Sequence, residues 1–112
     1  MAVVANITVD QGSVFDSTID VEDISGNPAD LTGYTARGQI RKTYTSSTSV
    51  DFSASVTDPS GGKIKITLTG TQTAGMKAGR YVYDVEVVSS GGSVTRVVEG
   101  QVEVTPRVTR TP

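Results

Sequence analysis

Apolar and polar residues alternate along most of this chain with a period of two. From Lys63 the order is Lys-Ile-Lys-Ile-Thr-Leu, and from Arg80 it is Arg-Tyr-Val-Tyr-Asp-Val-Glu-Val. That alternation predicts strands with one face buried and one face in water. A first strand covers Val3 to Asp10, with Val3, Ala5, Ile7 and Val9 on one face. Gln11-Gly12 breaks it, and Ser13 to Glu22 continues with Phe15, Ile19 and Val21 opposed to Asp16, Thr18 and Asp20. Tyr34 to Lys42 sets Tyr34, Ala36, Gly38 and Ile40 against Thr35, Arg37, Gln39 and Arg41. Val50, Phe52, Ala54 and Val56 mark the next strand. Lys63–Leu68, Arg80–Val88 and Ser93–Val104 complete the set.

Turn chemistry separates these runs. Ser25-Gly26-Asn27-Pro28 and Asp30-Leu31-Thr32-Gly33 predict two tight corners, since Gly reaches positive φ and Pro presets its own. Asp58-Pro59-Ser60-Gly61-Gly62 predicts an antiparallel hairpin between its flanking strands, and Ser89-Ser90-Gly91-Gly92 predicts another. Thr71 to Ala78 does not alternate; it predicts one helical turn near residues 71–78, capped by Thr71 or Thr73, holding Ala74, Met76 and Ala78. Gly100 within the last strand predicts a bulge or bend. About seven short strands at such spacing predict an all-β, immunoglobulin-like β-sandwich of antiparallel strands. It spans residues 1–104 as one domain, and residues 105–112 form an extended C-terminal tail.

Composition narrows the function classes. The chain of 112 residues contains no His, no Cys and no Trp. The commonest general base, the thiolate nucleophile and the usual ligands of a zinc site are therefore missing from its chemistry. A net charge of -2 argues against nonspecific nucleic-acid binding and gives no reason to expect an anionic membrane as partner. The start, Met-Ala-Val-Val-Ala-Asn, lacks the charged and long apolar regions of a signal peptide, so synthesis in a cytoplasm is expected.

Several clusters invite a functional reading. Asp20, Glu22, Asp23 and Asp30 flank a turn, but their spacing is not that of a calcium loop, and solvated turn carboxylates are the preferred reading. Asp84 and Glu86, with Thr95 and Glu99 on the next strand, place carboxylates on one outer face. Glycoside hydrolysis needs such a pair across a cleft, which a small sandwich does not offer, so solvated strand faces are the preferred reading. Gly61-Gly62-Lys63 lacks the glycine spacing and the Ser/Thr of a phosphate loop. Arg37, Arg41 and Lys42 form a basic stripe that is either a solvated, edge-protecting face or a contact for an acidic protein. Val82, Val88 and Val97 point outward in the same pattern, as the contact surface of a subunit would. The tail, with Arg107 and Arg110, is either disordered or an arm laid along a neighbour. No catalytic residue, cofactor site or metal site is assigned.

Gly79-Arg80-Tyr81-Val82-Tyr83 resembles the Gly-x-Tyr-x-Cys segment of immunoglobulin domains. The resemblance implies that Tyr81 forms a corner by bonding back to the preceding loop, and that Tyr83 takes the place of the disulfide cysteine. A wider match joins Asp30-Leu31-Thr32-Gly33-Tyr34-Thr35-Ala36-Arg37, Gln39-Ile40-Arg41-Lys42, Gly79 to Asp84, Glu99-Gly100 and Val104-Thr105-Pro106. In that order the pieces resemble small virion proteins of tailed bacteriophages. They are also similar to the N-terminal immunoglobulin-like module of phage upper baseplate proteins.

The resemblance implies an accessory structural protein of the virion, in the head, neck, tail or baseplate, with no enzymatic activity. Its expected partners are other virion subunits or further copies of itself, met through Arg37, Arg41, Val82, Val97 and the tail arginines. A carbohydrate- or receptor-binding module on the phage surface is the alternative. Few aromatic residues stand behind it.

Overall fold

The computed structural model describes residues 3–109. Along the chain lie β1 (Val3–Val4), β2 (Ile7–Asp10), β3 (Phe15–Asp20), β4 (Thr35–Arg41), β5 (Val50–Asp51), β6 (Ser53–Asp58), β7 (Lys63–Leu68), α1 (Gly70–Ala74), β8 (Gly79–Val88) and β9 (Val94–Thr105). The larger sheet runs β1-β9-β8-β4-β5 with β2 also on β9, and the smaller runs β3-β7-β6. Their inward residues, among them Ile40, Ile64, Ile66, Leu68, Val85 and Val102, merge into one core between two packed sheets. This is the immunoglobulin-like sandwich that the alternation predicts. One departure is the direction of β1 and β2, which run parallel to β9.

Two of the predicted strands are interrupted, each for a local reason. Between β1 and β2 the backbone is pinned at Ala5. Its N–H donates to the Glu99 carbonyl at 2.9 Å, and its carbonyl accepts the Tyr83 hydroxyl at 2.6 Å. Asn6 adds a side-chain acceptor for the Gln101 N–H at 3.0 Å. Gly100 lies under this contact, and a Cβ there would fall on the Ala5 carbonyl oxygen. Gly100 is thus a site of close backbone approach, and it still pairs in register with Tyr83. The bulge expected there sits elsewhere, where Val85 pairs with Val98 but Glu86 pairs with Arg96.

That bulge corrects the expectation for Val97. The extra residue shifts the phase of β9 by one, so Val97 turns inward and is 8% exposed, beside Val98 at 4%. Thr95 moves with it to the inner-face register opposite Val87, away from the outer face the alternation assigns it. Val82 and Val88 stay on the outer face, half-buried.

The second interruption is at Phe52, where the chain leaves one sheet for the other. β5 pairs with β4, and β6 pairs with β7. The Phe52 N–H donates to the Gly38 carbonyl at 3.0 Å, while its ring enters the core. The ring centroid lies 6.0 Å from that of Tyr83, edge to face, and 6.4 Å from that of Phe15. Gly38 makes the room: a Cβ there would stand 3.0 Å from the Phe52 ring and 2.8 Å from the Asp84 carbonyl oxygen.

The Asp30-Leu31-Thr32-Gly33 corner now has a mechanical meaning. Asp30 accepts from the Thr32 N–H at 3.0 Å and the Thr32 hydroxyl at 2.6 Å, and these bonds hold its carboxyl below the usual carboxylate range. Leu31 is buried and its N–H donates to the Pro59 carbonyl, tying the corner to the β6–β7 hairpin. Gly33 takes φ +81, and the chain enters β4.

The helical turn lies earlier than the sequence predicts. Thr69 is its cap, bonding Gln72 in a reciprocal capping box. Thr73 lies within the helix, buried, with its hydroxyl donating to the Ser13 carbonyl at 2.8 Å. Met76 is buried just beyond the helix, while Ala74 and Ala78 are exposed. Tyr81 donates its hydroxyl to the Lys77 carbonyl at 2.7 Å, and Lys42 lies 4.8 Å over its ring. Tyr81→Phe removes that one hydrogen bond at a partly exposed site, and chemical denaturation should show a loss of about 1 kcal/mol.

Candidate functional site

The outer face of the larger sheet gathers most of the residues the sequence singles out. Arg37 sits opposite Glu86, Gln39 opposite Asp84 and Arg41 opposite Val82 across the β4–β8 pair. On the far side of β8, Glu99 faces Asp84 and Arg96 faces Glu86. Period-two geometry puts all of these side chains on one surface. A shallow concavity of about 700 Å³ covers the face and reaches Tyr44, which is 81% exposed.

The charges on this face are paired across strands. Arg37 Nε meets Glu86 Oε1 at 3.0 Å; Arg96 meets Asp84 at 3.3 Å and Glu99 at 3.4 Å. Arg41 is occupied differently. It donates to the Ser46 carbonyl at 2.7 Å and to Gln39 Oε1 at 2.9 Å, and so shapes the loop that carries Tyr44. Lys42 is set over Tyr81, out of the arginine row. The expected basic stripe is therefore a mosaic of both signs. Its exposed pairs contribute little to stability and much to the pattern a partner would meet.

Asp84 is the perturbed group of the mosaic. Partial burial pushes its carboxyl above the usual range, and the nearby Glu86 adds to this; the Arg96 guanidinium opposes both. Folding thus favours the protonated form. The stability contributed by that proton is present at low pH and is lost as pH rises from the unfolded carboxylate value through the raised folded one. Wild type should lose stability relative to Asp84→Asn on going from about pH 3 to pH 7. Paired denaturation curves check this, and Glu86→Gln should narrow the difference.

The remaining sequence candidates have local partners. Asp20 binds Lys63 at 2.7 Å, and Asp23 accepts the N–H groups of Ser25 and Asn27. Among the described residues no group of three or more His, Cys, Asp or Glu is placed to hold a metal ion. Gly79, at φ +140, opens β8 below the Lys42 ammonium. Tyr83 is buried with its hydroxyl on Ala5. β9 continues to Thr105, whose hydroxyl donates to Asp10 at 2.8 Å. Beyond it, Arg107 donates its N–H to Gln11, and its guanidinium lies over Gly12. Arg107 is exposed at this end of the sandwich. Arg110 lies outside the described residues.

Arg96 and Tyr44 belong to the face and escape the sequence reading. Arg96 owes its position to the bulge, and Tyr44 stands alone in a Ser/Thr loop, so neither carries a periodic signal.

No family model matches this chain, and no curated protein matches it. Among solved structures it is similar to an internalin-like protein of Listeria monocytogenes, with 17% identity and a TM-score of 0.47. That alignment covers 93% of this chain and 28% of the other. It is also similar to a family 123 glycoside hydrolase from Clostridium perfringens, with 14% identity and a TM-score of 0.41 over 94% of this chain and 23% of that one. The chain thus spans about a quarter of the length of each. At these identities and scores neither likeness bears on activity or partners.

Proposed function

We propose that this chain is a non-catalytic assembly protein of a tailed-phage particle, held by protein contacts across the outer face of the larger sheet. The observation that carries the assembly role is the charge mosaic itself. Arg37, Arg96, Asp84, Glu86 and Glu99 are mutually paired in two adjacent rows of the sheet, and the half-buried Val82 follows in the next row, between Arg41 and Gln101. Ready-made ion pairs beside an apolar residue suit a protein surface of matching pattern, and Arg and Tyr are enriched in such contacts. The phage setting rests on the sequence resemblance, whose Asp-Leu-Thr-Gly-Tyr motif here builds the corner into β4.

Immunogold electron microscopy of intact particles tests this reading. Label on heads supports a decoration role, and label at a tail end supports a tail or baseplate role. Absence of label on particles with working controls rejects the reading. Val82→Asp puts an acid on this face beside Asp84 without entering the core, and labelling should fall at least about tenfold, the equivalent of 1.4 kcal/mol in binding.

A further inference from the structure

A second surface lies on the opposite side of the sandwich from the β5 edge. The two sheets part there, and an apolar groove of about 570 Å³ opens between them. Ala5 and Ile7 stand on one wall, Ile19 and Val21 on the other, and the core residues Tyr83 and Val98 lie behind. Both walls are strand edges. Among the described residues β3 pairs with β7 alone. Constant-type immunoglobulin sandwiches carry a fourth strand at this place, beside the equivalent of β3.

The backbone of β3 shows what the edge offers. Val21 donates its N–H to the Gly62 carbonyl at 2.8 Å, continuing the register that pairs Ile19 with Ile64 and Ser17 with Ile66. In an antiparallel ladder bonded residues alternate, so the odd-numbered residues bond to β7. The N–H and C=O groups of Asp16, Thr18 and Asp20 therefore point to the free edge. No inward-facing charge guards that edge: Phe15, Ser17 and Ile19 are the inward residues.

We infer that the groove binds an extended strand of a partner polypeptide, apolar at alternate positions and carrying Lys or Arg between them. It would add to β3 as a fourth strand of the smaller sheet. The period-two requirement comes from the groove, which takes every second side chain. The basic requirement comes from the outer side, where Asp16 is exposed beside the edge, Asp20 is exposed but shares its charge with Lys63, and the exposed Glu22 and Asp23 continue the acidic rim. Opposite charges across neighbouring strands stabilise the pair, and like charges oppose it. The same rule disfavours a second copy of β3, which brings its own Asp16 and Asp20.

The test uses the full chain, labelled with nitrogen-15, and a blocked peptide of about eight residues alternating Lys with Val and Ile. At a tenfold excess over its dissociation constant, the peptide should slow amide exchange of Asp16, Thr18 and Asp20 roughly tenfold. A peptide of the same composition without alternation should leave them unchanged. Thr18→Pro removes the central edge donor, which no strand among the described residues uses, and should abolish binding. Asp16→Lys leaves the fold intact and should shift preference to a peptide with Glu in place of Lys. Three results overturn the inference: no slowing at millimolar peptide, equal slowing by the non-alternating peptide, or slowing that grows with protein concentration alone, which would mean self-pairing.

Discussion

Phe52→Ala is expected to destabilise the protein by about 3–5 kcal/mol, the cost of deleting a buried aromatic ring and leaving its space open. Phe52 is 6% exposed and stands between the rings of Phe15 and Tyr83 at the point where the chain changes sheets. Neighbours from both sheets lean on it, so the cavity cannot close by moving one strand. The loss is a large share of the roughly 5–15 kcal/mol that holds a domain of this size folded. Thermal unfolding should shift down by well over about 10 °C. Phe52→Leu refills most of the volume and should cost clearly less. An equal cost for both would mean that edge-to-face ring contact, and not volume, is what the site requires.

Gly100→Ala is the second large effect. The added methyl meets the Ala5 carbonyl oxygen, which is backbone and cannot rotate away. The entering strand must lift, and three bonds go with it: Ala5 N–H to Glu99, Tyr83 hydroxyl to Ala5, and Gln101 N–H to Asn6. At about 1 kcal/mol each they sum to about 3 kcal/mol. Hydrogen exchange should speed up at Ala5 and Gln101 ahead of the rest of β9. Gly91→Ala is the matched control, since its nearest neighbour is 3.9 Å away, and should be near neutral.

These two residues also mark how far the sequence could be read. Alternation found each strand because a residue facing the core does so whichever sheet it joins. For the same reason it ran straight through Phe52: Val50, Phe52 and Ala54 all face inward while the hydrogen-bond partner changes from β4 to β7. Periodicity carries the facing of a residue and nothing about its neighbour strand, so the parallel pairing of β2 with β9 was also illegible. Gly100 signalled an irregularity, but glycine marks a bulge and a close approach alike. The bulge lay a few residues earlier among valines that look regular, and one shifted phase sent Val97 into the core.

The candidate face divides in the same way. That Arg37, Arg41 and Val82 point outward followed from position alone. That Arg37 is neutralised by Glu86, and that Arg41 is engaged by Ser46 and Gln39, depends on contacts made across strands and through a loop. A row of arginines reads as a basic stripe until the opposing strand is placed beside it.

The direction of β2 has a mechanical consequence. Val3 lies beside Val98, while Asp10 lies beside Thr105, so the chain enters partway along β9 and both strands then run the same way. A pull applied between Val3 and Thr105 draws the two strands past each other in opposite senses. Every hydrogen bond of the β2–β9 ladder is then loaded at once in shear, and none can be opened singly by peeling. Tension carried through the domain in this direction meets its resistance at that ladder before it reaches the core.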